Sequence, residues 1–185
     1  MVVQAFDPRH LDVAAFAAAQ GQLSGEWPLT ALHRLGPATA GPTDAGVVWA
    51  MHGERREQPA GAAETWLHLR ASSVLELVCQ RCLQGMPQPL NVARSFRFVK
   101  DEAEAERLDE HSEDDVLALG HPLDLLALVE DELILALPLI PRHEVCPHPL
   151  MAQLGMPQGS ASREDNAFAV LAAWRRRPGS EDHDA

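Results

Sequence analysis

The segment Leu123–Leu137 constrains the fold more than any other stretch of the chain. At helical spacing Leu126, Val129, Leu133 and Leu137 form one stripe, Asp124 and Asp131 lie one heptad apart on the opposite side with Leu128 and Leu135 flanking them, and Pro138 ends the run. A helix apolar over so much of its circumference has to be covered by protein. Its four acids, Asp124, Glu130, Asp131 and Glu132, exclude a membrane span, which needs about 18 apolar residues. The pattern predicts a buried helix packed on a sheet, keeping only a narrow acidic strip.

The sheet is predicted upstream. Trp27–Leu35 and Val47–Arg55 alternate loosely and are separated by the turn pairs Gly36-Pro37 and Gly41-Pro42. Trp66–Arg70 and Val74–Cys79 are β-rich, with Leu75, Leu77 and Cys79 on one face and Val74, Glu76 and Val78 on the other. In Leu90–Val99 one face carries Leu90, Val92, Phe96 and Phe98, interrupted by Arg94, so an antiparallel hairpin centres on Cys79–Pro87. Asp7-Pro8 predicts a cap and first turn for a helix over Pro8–Gln20. Asn166 caps a C-terminal helix with Phe168, Leu171 and Trp174 on one face and Arg175–Arg177 at its end, after a linker over Gly155–Ser162. The expected fold is α+β: a twisted antiparallel, barrel-like sheet with an N-terminal helix, the long buried helix and a C-terminal helix. Residues 1–154 form one domain, and 155–185 supply linker, helix and disordered tail.

Charge divides the chain unevenly. The net charge is −12 over 185 residues, yet residues 1–100 carry nine basic against eight acidic side chains, while 101–115 carry nine acids and one base. That acidic run is expected to be a mobile solvated loop, solubilising or docking a basic partner. The acidic excess argues against DNA coating, and with no tyrosine and 5% aromatics a base-stacking platform is poorly supplied. The N-terminus lacks the pattern of a signal peptide, and three cysteines are too few for a secreted disulfide framework, so a cytoplasmic protein with no membrane or DNA partner is expected.

Cys79-Gln80-Arg81-Cys82 is the most chemical-looking motif. Two thiols three positions apart on a turn can grip one metal ion, and His143, Cys146 and His148 are the available remaining donors, giving a possible zinc site of Cys79, Cys82, Cys146 and His143. The alternative is a structural hairpin tip with reduced thiols and no cofactor. A redox role fits less well, because the motif leads into a turn and strand rather than a helix. Arg81, Arg94, Arg97 and Lys100 lie in or beside the same hairpin, as an RNA- or partner-binding patch or as ordinary edge-strand charge. Enzyme signatures are absent: there is no phosphate-binding glycine loop, no nucleophile elbow and no paired metal-binding histidines on a helix.

Taken in order, Cys79-Gln80-Arg81-Cys82, the run from Asp124 to Pro138, Pro141-Arg142-His143, Cys146 and Asn166–Leu171 resemble the YceD family, the large ribosomal RNA subunit accumulation proteins. The resemblance covers about residues 64–174. It implies a bacterial cytoplasmic factor for accumulation or maturation of the large-subunit (23S) ribosomal RNA in 50S biogenesis, without established catalysis. Its expected partners are the RNA precursor, a basic ribosomal protein or an RNA-processing factor. Ala167 departs from the proline common there, and the loop after the long helix has only Cys146 where some relatives have further cysteines. Partner or RNA contact is expected from Arg81, Arg94, Arg97 and Lys100 on the hairpin, and from Asp124, Glu130, Asp131 and Glu132 on the helix. The alternative is a zinc-stabilised protein-interaction module unrelated to ribosomes.

Overall fold

The computed structural model describes residues 6–41, 44–59, 61–112 and 114–147. The chain divides into two compact units, Met1–Glu144 and Val145–Ala185, and every element named here lies in the first. In chain order these are α1 (Val13–Ala18), β1 (Gln22–Pro28), β2 (Gly46–Arg56), β3 (Glu64–Val78), β4 (Gly85–Val99), α2 (Glu102–Asp109), β5 (Asp115–Ala118) and α3 (Leu125–Leu135). The strands form one five-stranded sheet in the order β1-β2-β3-β4-β5, antiparallel through β4, with β5 parallel to β4.

Side-chain alternation decides which face packs. In β3, Leu67, Leu69, Ala71, Leu75 and Leu77 are buried, whereas Arg70, Val74 and Glu76 are exposed. Register aligns Met51 with Leu69 and Leu67 with Phe96, so the apolar rows of β2, β3 and β4 meet on one face. Against that sheet α1 brings Val13, Phe16 and Ala17, and α3 brings Leu125, Leu126, Val129 and Leu133. The close approach of α1 depends on Gly53, where a Cβ would stand 2.7 Å from Phe16 Cδ1 and 3.0 Å from Ala17 Cα. The segment before α1 is pinned to the start of α3 by Leu11 N–H to Leu123 O and Leu123 N–H to Leu11 O, both 2.9 Å.

Several expectations are corrected. Among the described residues the sheet is open, with β1 and β5 paired on one side only, so it does not close into a barrel. The first helix starts at Val13 rather than Pro8, because Asp12, not Asp7, accepts from Ala15 N–H and caps it. The strand expected over Trp27–Leu35 ends at Pro28 and turns into a 3₁₀ segment, Leu29–Ala31, while the two β-rich stretches after Trp66 merge into one 15-residue strand, β3.

The acidic run 101–115 is not one loop: Asp101 caps α2 by accepting from Glu104 N–H, and Ala105 and Leu108 pack with Val99 and Val116. A few apolar contacts at helical spacing, with Glu102 and Glu104 at the N-terminus and Arg107 in the last turn, outweigh the charge density. On α3, Leu135 is 75% exposed rather than covered, and Glu130 and Glu132, expected to meet a partner, are buried. The expected C-terminal helix, with its linker, and His148 lie outside the described residues.

Candidate functional site

The tip of the β3–β4 hairpin is shaped by its own backbone. Cys79 N–H donates to Gln84 O at 2.9 Å and Leu83 N–H to Cys79 O at 2.8 Å, while Leu83 takes a left-handed φ of +59°. This curls Cys79-Gln80-Arg81-Cys82 into a tight knuckle with both thiols wholly buried.

The segment following α3 docks on that knuckle. Gln80 N–H donates to Pro141 O at 2.9 Å, and one Arg81 Nη donates to His143 O at 2.8 Å and Glu144 O at 3.1 Å. His143 N–H points at Cys79 Sγ over 3.4 Å, and His143 Nδ1 lies 3.4 Å from Cys82 Sγ. Burial pushes the Cys79 thiol up, but hydrogen bonds from the backbone N–H groups of His143, Arg81 and Cys82, together with the His143 side chain, outweigh it and bring the thiol down to about 5.

These features fit a soft metal ion. Ligand atoms of Cys79, Cys82 and His143 lie within 4.8 Å of one another, and Cys146 follows His143 by three residues as a fourth donor type. Neighbouring ligands on a tetrahedral zinc with bonds of about 2.0–2.3 Å stand close to the spacing seen between Cys82 and His143. N–H groups converging on Cys79 Sγ also supply the outer hydrogen bonds that a metal-bound thiolate needs.

The charged residues expected at a partner surface are placed in several different settings. Arg94 pairs with Asp115 and reaches Glu132 at 3.3 Å, and Arg97 pairs with Glu64 at 2.8 Å on the opposite face of β4. Lys100 is exposed at the end of the hairpin, and Arg81 is engaged with the 143–144 carbonyls. Asp124 caps α3 and pairs with Arg9 at 3.0 Å. Asp131 holds Arg34 at 2.5 Å, and Glu130 accepts from Arg34 Nε at 3.0 Å. Burial pushes the Glu132 carboxyl up against the opposing pull of Arg94; burial also pushes Glu130 up, but the Arg34 and Leu35 donors bring it below its usual range.

A further group went unnoticed in the sequence. His68 Nδ1 lies 2.9 Å from Ser95 Oγ and its Nε2 2.8 Å from Glu54, whose carboxylate also receives Arg56 Nη at 2.8 Å. Alternation alone could have put His52, Glu54 and Arg56 on one face of β2, but only the strand register brings His68 and Ser95 beside them.

A family model described as "Large ribosomal RNA subunit accumulation protein YceD" matches residues 67–174, from within β3 past the knuckle and α3. Among curated proteins, the "Large ribosomal RNA subunit accumulation protein YceD" of Haemophilus influenzae is 35% identical over 106 residues, which is 56% of this chain and 61% of that protein. The match therefore spans less than two thirds of that relative. No solved structure matches the chain.

Proposed function

The chain belongs to the YceD family of large ribosomal RNA subunit accumulation proteins, and from that premise we propose that it is a non-enzymatic factor promoting accumulation and processing of 23S ribosomal RNA during 50S subunit biogenesis. The observation carrying this reading is the family match across residues 67–174, which takes in the knuckle and α3. Its partners in this reading are the large-subunit RNA precursor, a basic ribosomal protein or an RNA-processing factor, met in the cytoplasm.

The fold narrows which of the expected contact residues can act directly. Glu130 and Glu132 are buried, so they reach a partner only through the arginines that they hold. Arg94 and Asp131, each about half exposed, together with Lys100 and Arg81, carry the outward-facing charge. A zinc ion held by Cys79, Cys82, His143 and Cys146 would act structurally, fixing the hairpin tip to the segment after α3. That donor set equally favours the second reading, a zinc-stabilised protein-interaction module unrelated to ribosomes.

The ratio of large- to small-subunit ribosomal RNA, in cells with and without the gene and after complementation, separates the two readings. A selective loss of the large-subunit RNA, restored by the intact protein, is expected. An unchanged ratio in cells lacking any paralogue overturns the ribosomal reading and favours the interaction module.

A further inference from the structure

The face of the sheet turned away from α1 and α3 forms a trough of about 840 Å³. Its floor is made of small residues, Ser24, Ala50 and Ala93, and its walls include His52, His68 and Arg70. Arg70, His52 and His68 line it and no carboxylate does; Arg94 also borders it, but its guanidinium is turned to the α3 side, where it holds Asp115 and Glu132. Arg70 is exposed and makes no ion pair among the described residues, unlike Arg94 and Arg97. Arg70 therefore offers an exposed positive charge at the trough that can meet a phosphate, in a chain whose net charge is −12.

One end of the trough carries a row of planar groups. The His52 and His68 rings lie 6.0 Å apart between centroids and within 22° of parallel; Trp66 continues the row at 6.3 Å from His68, 3° from parallel, with the Arg56 guanidinium 4.6 Å over its ring. His68 is fixed between Ser95 and Glu54, and His52 Nδ1 lies 3.3 Å from Gly21 O, so these planes are set before any ligand arrives. Glu54 is neutralised locally by Arg56 and lies outside the trough lining. The floor offers hydroxyl groups and small side chains but no large apolar anchor of the kind that dominates protein–protein contacts.

We propose that this open face binds single-stranded RNA, with Arg70 contacting phosphate, His52 and His68 presenting planes to unpaired bases, and Ser24 and Ser95 supplying polar contacts. The proposal rests on the ribosomal RNA reading above and names a surface for it separate from the hairpin tip. Single strands suit such a face because unstacked bases can lie on planar side chains, whereas the bases of an RNA duplex remain stacked inside it.

The test is fluorescence anisotropy of the full chain with a labelled 12-nucleotide oligouridine RNA, and with the same length of oligouridine paired to oligoadenosine. The single strand is expected to bind more tightly than the duplex. Arg70→Glu should weaken it about tenfold, His52→Ala about fivefold, and Arg70→Gln should reduce the salt slope by about 0.7. Both positions lie on the solvent face, and an unchanged thermal melt verifies folding of each variant. No binding of the single strand, or equal binding by wild type and the folded Arg70→Glu variant, overturns the proposal. Loss of RNA binding in Lys100→Glu alone, or binding of a purified ribosomal protein but not RNA through Arg70, also overturns it. Complementation of the ribosomal RNA ratio is scored separately: a normal ratio supported by Arg70→Glu defeats the trough's role while leaving the family function intact, whereas an unchanged ratio on gene loss defeats the function itself.

Discussion

Glu130 and Arg34 are joined at both backbone and side chain: one Glu130 carboxylate oxygen accepts from Arg34 N–H at 2.6 Å and from Leu35 N–H at 3.1 Å, and the other from Arg34 Nε at 3.0 Å. The carboxylate on α3 thereby satisfies the turn between β1 and β2, 96 residues away in sequence. Glu130→Ala strands two backbone N–H donors, one of them on the wholly buried Leu35, as well as Arg34 Nε, and is expected to cost about 3 kcal/mol. Glu130→Gln keeps an acceptor and should cost less. Urea unfolding of the two variants checks the order; equal losses would show that the acceptor geometry is unimportant.

The paired carboxylates set the response to acid. The Arg56 hydrogen bond, followed by that of His68, holds Glu54 at about 2 against the opposing effect of burial, and Glu130 is also held below its ordinary value. Both folded-state values lie beneath the unfolded one of about 4.3, so their stabilisation is present above that value and is lost as pH falls through the folded values. Glu132, raised mainly by burial, acts in the opposite sense: its contribution is full below the unfolded value and is lost as pH rises through its raised one. Melting temperature should therefore decline from about pH 5 toward pH 2, with a shallower decline in Glu54→Gln and Glu130→Gln. Parallel melting curves across that range for wild type and both variants would refute it.

Much of the fold is legible because its strongest signals are local. Alternation in β3 and β4 placed Leu75, Leu77, Cys79, Phe96 and Phe98 on one buried face, and helical periodicity with Pro138 placed α3 within two residues at either end. The misses are cases where a distant partner decides. Glu130 looked like surface charge because nothing near it in sequence reveals the Arg34 and Leu35 donors. Charge counting over 101–115 concealed Ala105 and Leu108, whose packing with Val99 and Val116 needs the parallel β5 beside β4. His68, Ser95 and Glu54 belong to three strands, and their meeting depends on register rather than on any motif. The Cys79–Cys82 pair and His143 were legible as donor types, but the knuckle that aims N–H groups at Cys79 was not.

Gly53 carries the contact between β2 and α1. An added Cβ would press on the backbone of Ala17 as well as on the Phe16 ring, so Gly53→Ala is expected to destabilise by about 1–3 kcal/mol. Gly36→Ala, with nothing within 4 Å of the new Cβ, should change stability by less than about 0.5 kcal/mol. Thermal melts of both variants check the contrast, and a neutral Gly53→Ala would mean that α1 can lift from the sheet without loss.

The metal assignment makes the most direct prediction. Full-length protein purified without chelator, or refolded with zinc, should contain one zinc per chain by elemental analysis. Cys79→Ser, Cys82→Ser and Cys146→Ser should each lose that stoichiometry, because a closed structural site needs all four ligands. A ligand that binds only the folded chain stabilises it by about 4 kcal/mol at a free concentration 1,000 times its dissociation constant, so stripping the ion should lower the melting temperature by several degrees and zinc should restore it. The Cys variants should melt like the stripped protein and ignore added zinc, which distinguishes a bound ion from mere loss of packing around a buried thiol. A substoichiometric metal content in protein refolded with zinc, or full zinc content in Cys79→Ser, would return the knuckle to a hairpin tip held by hydrogen bonds alone.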